Sequence, residues 1–324
     1  MTEHRVDVAI VGAGPAGLYG ATYAGFRGLS VAVIDALTEP GGQVTALYPE
    51  KEIHDIAGFP TVTGRELVRR CVAQASVHEP TFLLGEVVEG FTRHDDDTFT
   101  LTTDQGTRID CRAVLIASGL GRFTPRRLPV GDEYEGRGLI YLVRDHEELR
   151  DEDLLVIGGG DAAVDWALTF EPIARSVTLI HRRGEFRAHE GPLERLMASG
   201  VEVLTHTEVA TLEGQDHLEA VEVVDNRTEE RRRLPVTRIL AALGFLADLG
   251  PIAHWPIRLE GRTIPVSRRM ETDVPGVFAA GDVTTYDGKL KLVSVSFGEA
   301  VIAANHIAAH LDPTVRPFPG YRNA

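Results

Sequence analysis

Residues 8–17 read VAIVGAGPAG, an apolar run that leads into three glycines, Gly12, Gly14 and Gly17. This is the strand–turn–helix fingerprint of a dinucleotide-binding fold. In such a loop the first glycine permits a tight turn, the second lets the backbone approach a pyrophosphate, and the third lets the helix pack closely on the strand. The stretch therefore predicts a parallel α/β fold whose first turn holds a phosphate-bearing ligand.

A carboxylate follows this fingerprint at the end of the next predicted strand. The N–H groups near Pro15 and Ala16 open the predicted helix and face the phosphates. The strand Ser30–Ile34 then ends in Asp35, where a carboxylate accepts hydrogen bonds from a ribose diol. The alternative for Asp35 is a helix N-cap or an acid in a solvated loop, but the fingerprint before it favours ribose binding.

The loop after Asp35 suits close contact with a long ligand. Gly41 and Gly42 allow close approach of the backbone, and Gln43 offers both a donor and an acceptor. Tyr48 follows, and by itself it is best interpreted as a partly buried core aromatic. A cofactor that crosses this loop gives its ring a second interpretation of equal weight, which is stacking on a flat ligand.

Residues 154–163 read LLVIGGGDAA and repeat the pattern. The apolar strand Leu154–Ile157 again runs into a glycine turn and a predicted helix. One such loop is a weak signal, whereas two in one chain indicate a flavoprotein that takes electrons from a nicotinamide. The residues predicted at this second nucleotide are Gly158, Gly160, Asp161 and Ala162.

The strand after the second glycine turn ends in basic residues instead of an acid. Ser176–Ile180 leads into His181, Arg182 and Arg183, with Arg187 shortly after. A carboxylate here would repel a 2′-phosphate, whereas arginine forks bind one. The pattern favours NADPH over NADH. The alternative for the arginines is a solvated basic turn. The alternative for His181 is a packing or capping role.

The rest of the chain indicates that the same architecture is present twice. Leu84–Phe91 and Phe99–Thr103 flank a polar turn and predict a hairpin or meander. Further along, an apolar strand delivers Gly281 and Asp282 to a loop, which suggests a ligand-facing carboxylate. A helix is predicted over Ser296–His310.

We therefore expect an α/β protein with two Rossmann-like dinucleotide-binding domains, each a three-layer arrangement of a parallel sheet with a β-meander. The FAD-binding domain is expected to be discontinuous, over residues 1–118 and 246–324. The NADPH-binding domain is expected over residues 119–245.

Composition excludes several other classes of protein. The chain has 324 residues, a net charge of −15 and only two cysteines, Cys71 and Cys111. Nucleic-acid binders are basic, and two cysteines support neither a disulfide scaffold nor a four-cysteine zinc or iron–sulfur site. The apolar runs are too short to span a bilayer, and the first fingerprint leaves no room for a targeting segment. We expect a cytoplasmic protein that binds no metal and no nucleic acid and does not insert into a membrane.

Several motifs together resemble the pyridine nucleotide–disulfide oxidoreductase superfamily, in its low-molecular-weight thioredoxin reductase branch. They are GAGPAGL, GGQV, DIAGFP, LIASG, GGGDAAVDWAL, HRRGEFRAHE and PGVFAAGD. Thioredoxin reductases carry a Cys-x-x-Cys dithiol just before the second fingerprint, but here residues 138–145 contain no cysteine. Without a dithiol, electrons cannot reach a disulfide by thiol exchange. The cysteine-free pattern, with GRGLIYLVRD and HRRGEFRAHE, resembles the thioredoxin-reductase-like ferredoxin/flavodoxin–NADP⁺ reductases.

This resemblance implies an enzyme that moves electrons between NADPH and ferredoxin or flavodoxin through FAD, and it implies a homodimer. Tyr48 would stack on one flavin face, and Tyr321 from the C-terminal tail would cover the other face across the dimer. With the residues argued above, the expected FAD contacts are Gly12, Gly14, Pro15, Ala16, Asp35, Gly42, Gln43, Tyr48, Val88, Phe123, Gly281, Asp282 and Asn323.

An acidic carrier protein would need a local basic patch on this acidic chain. The candidate patches are Arg65 with Arg69 and Arg70, Arg122 with Arg126 and Arg127, and Arg231–Arg233. Two alternatives to the carrier reductase stay open. One is an NADPH-dependent flavin reductase of a low-molecular-weight disulfide or a quinone, and the other is an FAD- and NADPH-binding redox sensor.

Overall fold

The strands and helices follow one another in the order that two successive nucleotide folds require. A computed structural model describes residues 2–143 and 145–318. The first elements are β1 (Glu3–Val11), α1 (Pro15–Phe26), β2 (Val31–Asp35), α2 (Gln43–Leu47), β3 (Glu52–Ile53), β4 (Val62–Thr63), α3 (Gly64–Ser76), β5 (Thr81–Leu84), β6 (Val88–Arg93), β7 (Phe99–Thr103), β8 (Arg108–Ile116) and β9 (Arg122–Pro125). They continue with β10 (Leu139–Ile140), β11 (Asp153–Ile157), α4 (Asp161–Phe170), β12 (Ser176–His181), α5 (Glu190–Met197), β13 (Glu202–Thr205), β14 (Thr207–Glu213), β15 (Ala220–Asp225), β16 (Arg231–Pro235), β17 (Arg238–Ala241), β18 (Phe245–Asp248), β19 (Ile264–Pro265), β20 (Val277–Ala279), β21 (Thr284–Thr285) and α6 (Val293–Leu311).

The chain divides into two units, and the first unit takes both ends of the chain. It comprises Met1–Arg122 and Ala247–Ala324, and the second unit is the continuous segment Phe123–Leu246. The domain bounds expected from the sequence, 1–118 with 246–324 and 119–245, stay a prediction.

The first unit is built on a sheet in which β5, β2, β1, β8, β7 and β6 lie in that order, with β20 also paired to β8. Strands β5, β2, β1, β8 and β20 are parallel to one another. Strands β7 and β6 continue the sheet beyond β8 as antiparallel strands. The carboxyl ends of the parallel strands share one edge of the sheet. Loops that follow β1, β2, β8 and β20 therefore meet at that edge, where ligands bind in open α/β sheets.

Alternate residues of these strands enter two different cores. Val8 and Ile10 pack with Ala303 and other residues of α1 and α6 on one face. Ala9 and Val11 face the opposite core, which contains Trp255. Strands buried on both faces need the near-continuous apolar sequence that β1 shows, which explains why the fingerprint begins with VAIV.

The second unit repeats the plan with a smaller sheet. Strands β10, β17, β11, β12 and β13 are all parallel, and β14, β15 and β16 form a separate antiparallel meander. Leu154 and Val156 pack against α4. Leu155 and Ile157 face Val221 of the meander. The prediction of two Rossmann-like folds, each with a parallel sheet and a meander, is confirmed.

Two local predictions need correction. Leu84 was expected in the hairpin, but it ends β5, because the N–H groups of Gly85 and Glu86 donate to the carbonyls of Leu37 and Asp35 and turn the chain away. The hairpin is β6 with β7. The last helix begins at Val293, before the predicted Ser296, and no side chain caps that end to mark it in the sequence. Within the described residues, none of the helices has the length and apolar composition that a membrane crossing demands.

Candidate dinucleotide sites

The three glycines of the first turn have three different surroundings. Gly12 has φ +114°, and a Cβ there would lie 2.4 Å from the carbonyl oxygen of Ala117 at the end of β8. A Cβ on Gly17 would lie 1.8 Å from the Gly12 oxygen, within the strand–helix contact. A Cβ on Gly14 would meet nothing within 4 Å. The first and last glycines thus hold the turn together, and the middle one borders open space.

The start of α1 carries uncompensated backbone donors beside that open space. Gly14 is the N-cap residue and Pro15 the first helical residue, and no side chain caps this end. The N–H groups of Ala16 and Gly17 have no intrahelical acceptor, as in the first turn of any helix. The first turn contains no acidic residue. Together with the helix dipole, these donors make the end of α1 suitable for a pyrophosphate.

The Asp35 carboxylate lies at the end of β2 next to the glycine turn. Its two oxygens accept hydrogen bonds from the N–H of Ala13 at 2.6 Å and the N–H of Leu37 at 2.8 Å. Burial raises the pKa of Asp35, and these two hydrogen bonds partly oppose that rise. Each carboxylate oxygen has a further lone pair for a ribose hydroxyl.

The loop over residues 41–43 packs directly on the glycine turn. The N–H of Gly41 donates to the carbonyl of Ala13 at 2.8 Å. A Cβ on Gly42 would lie 3.2 Å from the Cα of Gly14. The Gln43 side-chain nitrogen would lie 2.9 Å from a Cβ on Gly119, so this amide reaches the loop after β8. Three loops that are distant in sequence therefore line one edge of the sheet.

A buried hydroxyl on this edge lacks a hydrogen-bond partner. Among the described residues, the Oγ of Ser118 is out of contact with solvent and bonds to no protein group. Its backbone nitrogen would lie 2.9 Å from a Cβ on Gly12, which places Ser118 beside the first turn. A buried polar atom without a hydrogen-bond partner destabilises the fold by about 1–3 kcal/mol, so such an atom calls for an explanation. A polar ligand such as a dinucleotide fits that requirement, although the sequence did not single out Ser118.

Tyr48 lies at the end of α2, near the carboxylates of Asp282 and Asp55. Burial raises the pKa of Tyr48, and the charges of Asp282 and Asp55 raise it further, which places the three side chains close together. The Ser294 hydroxyl at the start of α6 donates to the Asp55 carbonyl at 2.6 Å. Within residues 2–143 and 145–318, no aromatic ring contacts the Tyr48 ring. The half-buried ring is compatible with either interpretation, a core aromatic or a stacking platform.

The Gly281–Asp282 turn follows β20 at the same edge. Gly281 has φ +88°, and a Cβ there would lie 3.0 Å from that of Ala16 in the first turn of α1. Burial raises the pKa of Asp282, whereas Lys289 and Lys291 lower it. The N–H of Gly281 donates to Glu299 of α6 at 2.7 Å. Glu299 was not predicted, although it is the only acidic residue in the sequence of α6.

The other predicted FAD residues are placed differently. Val88 begins β6, and its side chain is buried in the core of the first unit, so only its backbone is available to a ligand. Phe123 belongs to the second unit and packs edge-on against Phe245. Tyr321 and Asn323 lie outside the described residues.

The second glycine turn has a comparable arrangement with one addition. A Cβ on Gly158 would lie 2.5 Å from the Ala242 oxygen, and one on Gly160 would meet nothing within 4 Å. A Cβ on Gly159 would lie 2.1 Å from the ring of His181. Gly160 therefore borders open space at the start of α4, as Gly14 does at the start of α1.

A short segment folds back over this second turn. The N–H of Arg187 donates to the Gly159 carbonyl at 2.7 Å. Asp161, the first residue of α4, accepts from both the N–H and the ring nitrogen of His189, each at 2.8 Å. Ala162 follows and is exposed. The segment thereby brings the Arg187 backbone to the glycine turn.

His181 is part of the packing behind the turn. Its ring is buried against Gly159 and Phe186, and its Nε2 lies 3.1 Å from the Glu185 carbonyl oxygen. Burial lowers the pKa of His181, and the neighbouring arginines lower it further. The ring is therefore neutral at pH 7, and it supports the turn from within the protein.

Arg182, Arg183 and Arg187 are exposed around this turn. No carboxylate pairs with any of the three in the part of the chain that the structure describes. Their charges all act on His181, which shows that they lie near one another. An arginine cluster without acidic partners matches the charge of a nucleotide 2′-phosphate.

Comparison with known families agrees with this construction. The model of the pyridine nucleotide-disulphide oxidoreductase family matches residues 6–300. The chain belongs to this family.

Relatives in sequence and in structure cover almost the whole chain. The chain is 53% identical to a ferredoxin–NADP reductase of Frankia alni, over 96% of this chain and 97% of that protein. It is 46% identical to a ferredoxin–NADP reductase of Thermus thermophilus, over 99% and 97%. Among solved structures, it is similar to thioredoxin reductase of T. acidophilum, with a TM-score of 0.79, 25% identity and coverage of 96% and 99%. The resemblance identified from the motifs is confirmed.

Proposed function

We propose that the protein is a flavoenzyme that transfers electrons between NADPH and ferredoxin or flavodoxin. The observation that carries this proposal is the opposite charge beside two similar glycine turns. The first turn has the half-buried carboxylate of Asp35, which suits the ribose of FAD. The second has Arg182 and Arg183, which suit the 2′-phosphate of NADPH.

The first unit has the donors and acceptors that FAD needs. The N–H groups of Ala16 and Gly17 would bind the pyrophosphate, Asp35 would accept from the ribose, and Asp282 would accept from the ribitol chain. Tyr48 would stack on the ring system. When bound, FAD supplies the hydride acceptor and the single-electron donor that no side chain provides. The protein's own contribution is to bind, orient and exclude water.

The nature of the acceptor is supported by the relatives and by the cysteines. Both relatives described above are named ferredoxin–NADP reductase. Cys71 and Cys111 are buried, and burial raises the pKa of their thiols to about 11 and about 12. Neither thiol ionises near neutral pH, so neither acts as a nucleophile toward a disulfide. The cysteines therefore disfavour thiol exchange with a disulfide, and the names of the relatives favour a carrier of single electrons over a quinone or a purely sensing role.

The three candidate docking patches differ in how many of their arginines are paired with acidic residues. Arg69 and Arg70 share Glu66, whose pKa they lower to about 2, and Arg65 pairs with Glu50. Each of Arg231–Arg233 also faces a glutamate.

In the remaining patch, Arg127 is paired with Glu135. Arg122 and Arg126 are exposed, and neither pairs with an acid among the described residues. We propose these two as the docking cations for an acidic carrier. The homodimer, the cytoplasmic location and the roles of Tyr321 and Asn323 stay predictions.

The test is NADPH-driven cytochrome c reduction with and without added ferredoxin or flavodoxin. NADH and a thioredoxin–disulfide assay serve as controls. Strong stimulation by the carrier, with NADPH preferred over NADH, is the expected result. Rapid dye reduction without any stimulation by a carrier would keep the NADPH–FAD core and reject the proposed partner.

A further inference from the structure

A buried ion pair lies behind the turn that presents Asp282. The side chain of Glu299 is 3% exposed, and that of Lys289 is 6% exposed. The two groups form a salt bridge at 2.5 Å. A buried carboxylate is stable only when a cation and hydrogen bonds compensate it, so this pair is an expensive arrangement for the fold.

The carboxylate of Glu299 joins α6 to the segment that follows β20. One oxygen accepts from the N–H of Gly281 at 2.7 Å. The other accepts from the hydroxyl of Tyr286 as well as from Lys289. Burial, followed by this bond to Glu299, raises the pKa of Tyr286 to about 12, so its hydroxyl stays a donor. Glu299 thus fixes both ends of the segment between residues 281 and 289.

That segment cannot move without disturbing the predicted FAD site. Gly281 lies against Ala16 in the first turn of α1, so closely that a Cβ would be 3.0 Å from the Ala16 Cβ. Asp282 follows immediately, and both members of the ion pair affect its pKa. Lys289 lowers the pKa of Asp282, and Glu299 raises it. The pair therefore controls the position of the turn and the charge beside it.

We propose that Glu299 and Lys289 are positioning residues of the FAD site, whose buried ion pair fixes the Gly281–Asp282 turn and balances the charge next to it. This inference rests on FAD binding to the first unit, as proposed above.

The test titrates the full-length apoprotein with FAD and follows the quenching of flavin fluorescence. The variants are Lys289→Met, Glu299→Gln and the double variant, at a temperature where circular dichroism shows each to be folded. Glu260→Gln is the matched control, because Glu260 forms an exposed pair with Arg258. Each single variant leaves one buried charge alone, so we expect a dissociation constant raised about tenfold or more. The double variant has no lone charge and keeps an acceptor for Gly281, so we expect it within about threefold of the parent protein.

A second measurement reports on charge alone. Reduction adds negative charge to the flavin, so its midpoint potential should rise in Glu299→Gln and fall in Lys289→Met. A tenfold change in the two-electron equilibrium corresponds to about 30 mV. The inference would be overturned by single variants that bind FAD within twofold of the parent, or by a double variant that binds no better than the singles. It would also be overturned by midpoint potentials that shift in one direction in both variants or do not shift. A parent apoprotein that takes up no FAD would instead reject the proposed function.

Discussion

The backbone of Gly17 lies so close to the carbonyl of Gly12 that a Cβ on Gly17 would be 1.8 Å from that oxygen. Neither group belongs to a flexible side chain, so the strand and the helix cannot separate to admit even a methyl group without losing their packing. Gly14, in the same turn, has nothing within 4 Å of the corresponding position and has an extended backbone with φ −71°.

Two alanine substitutions in this turn should therefore affect different properties, one the stability of the fold and the other the binding of FAD. Gly17→Ala should reduce the free energy of unfolding by about 3 kcal/mol or more, because it overpacks a rigid contact. Gly14→Ala should leave stability within about 0.5 kcal/mol, because its methyl group meets no protein atom. It should still weaken FAD binding about tenfold, since the pyrophosphate needs that space. Urea unfolding and FAD titration measure the two effects. A Gly14→Ala protein that binds FAD as tightly as the parent would contradict the site.

The arginines after β12 should decide which nicotinamide cofactor is used. Replacing both Arg182 and Arg183 with alanine should raise KM for NADPH about 10–100-fold, because charge-assisted hydrogen bonds to the 2′-phosphate are lost. KM for NADH, which lacks that phosphate, should change less than threefold, about 0.7 kcal/mol. Steady-state diaphorase assays with both cofactors check this. Arg195→Ala is the control, an exposed arginine at the end of α5. Equal effects on KM for both cofactors would show that Arg182 and Arg183 do not bind the 2′-phosphate.

The two cysteines should not ionise at neutral pH, and their ionisation should lower the stability of the fold only at alkaline pH. Burial raises the pKa of Cys71 from 9.0 to about 11 and that of Cys111 to about 12. An acid whose pKa is raised by folding favours the folded state below its unfolded pKa and loses that contribution as pH rises. We expect stability to fall between pH 9 and pH 11 more steeply in the parent than in the Cys71→Ala/Cys111→Ala variant.

The same cysteine variant should retain NADPH-driven carrier reduction, because no thiol takes part in the proposed reaction. Native protein at pH 8 should react with Ellman's reagent only after unfolding. Rapid labelling of the folded protein, together with loss of activity, would reopen the disulfide-reductase alternative.

Docking should depend on the unpaired arginines and not on the paired ones. We expect Arg122→Ala/Arg126→Ala to raise KM for ferredoxin several-fold at low salt and to flatten its salt dependence, since unscreened cations steer an acidic partner. Replacing Arg231 and Arg233 should have little effect, because glutamates already neutralise them. Stopped-flow reduction at two ionic strengths distinguishes the patches. Equal effects from both variants would remove the basis for choosing between them.

Sequence patterns were sufficient where geometry follows from a local rule. The glycine turns, the acid at the end of β2 and the arginines at the end of β12 lie at fixed offsets in a βαβ unit, so residue order determines their places. Both folds could therefore be predicted from the sequence. The error at Leu84 arose because only residues 85–87 separate β5 from β6.

The residues that the sequence did not point to depend on contacts between distant segments. Ser118 is notable only because its hydroxyl is buried without a partner, and burial cannot be deduced from LIASG alone. Glu299 acts through Gly281 and Lys289, which reach it by the fold of the loop after β20. His181 stays a predicted cofactor residue, and the sequence did not show that its ring packs against Gly159. A periodic pattern contains no information about such pairings.

The discontinuity of the first unit has a consequence for the order in which the chain is made. Strand β20 adds to β8, and α6 shares a core with α1, so segments made before the second unit need segments made after it. The second unit is continuous and needs neither. During synthesis it can fold while the first unit is still waiting for its last strand and helix, and until then the apolar surface of α1 stays uncovered. Nascent chains stalled before β20 should accordingly be the species that require chaperones.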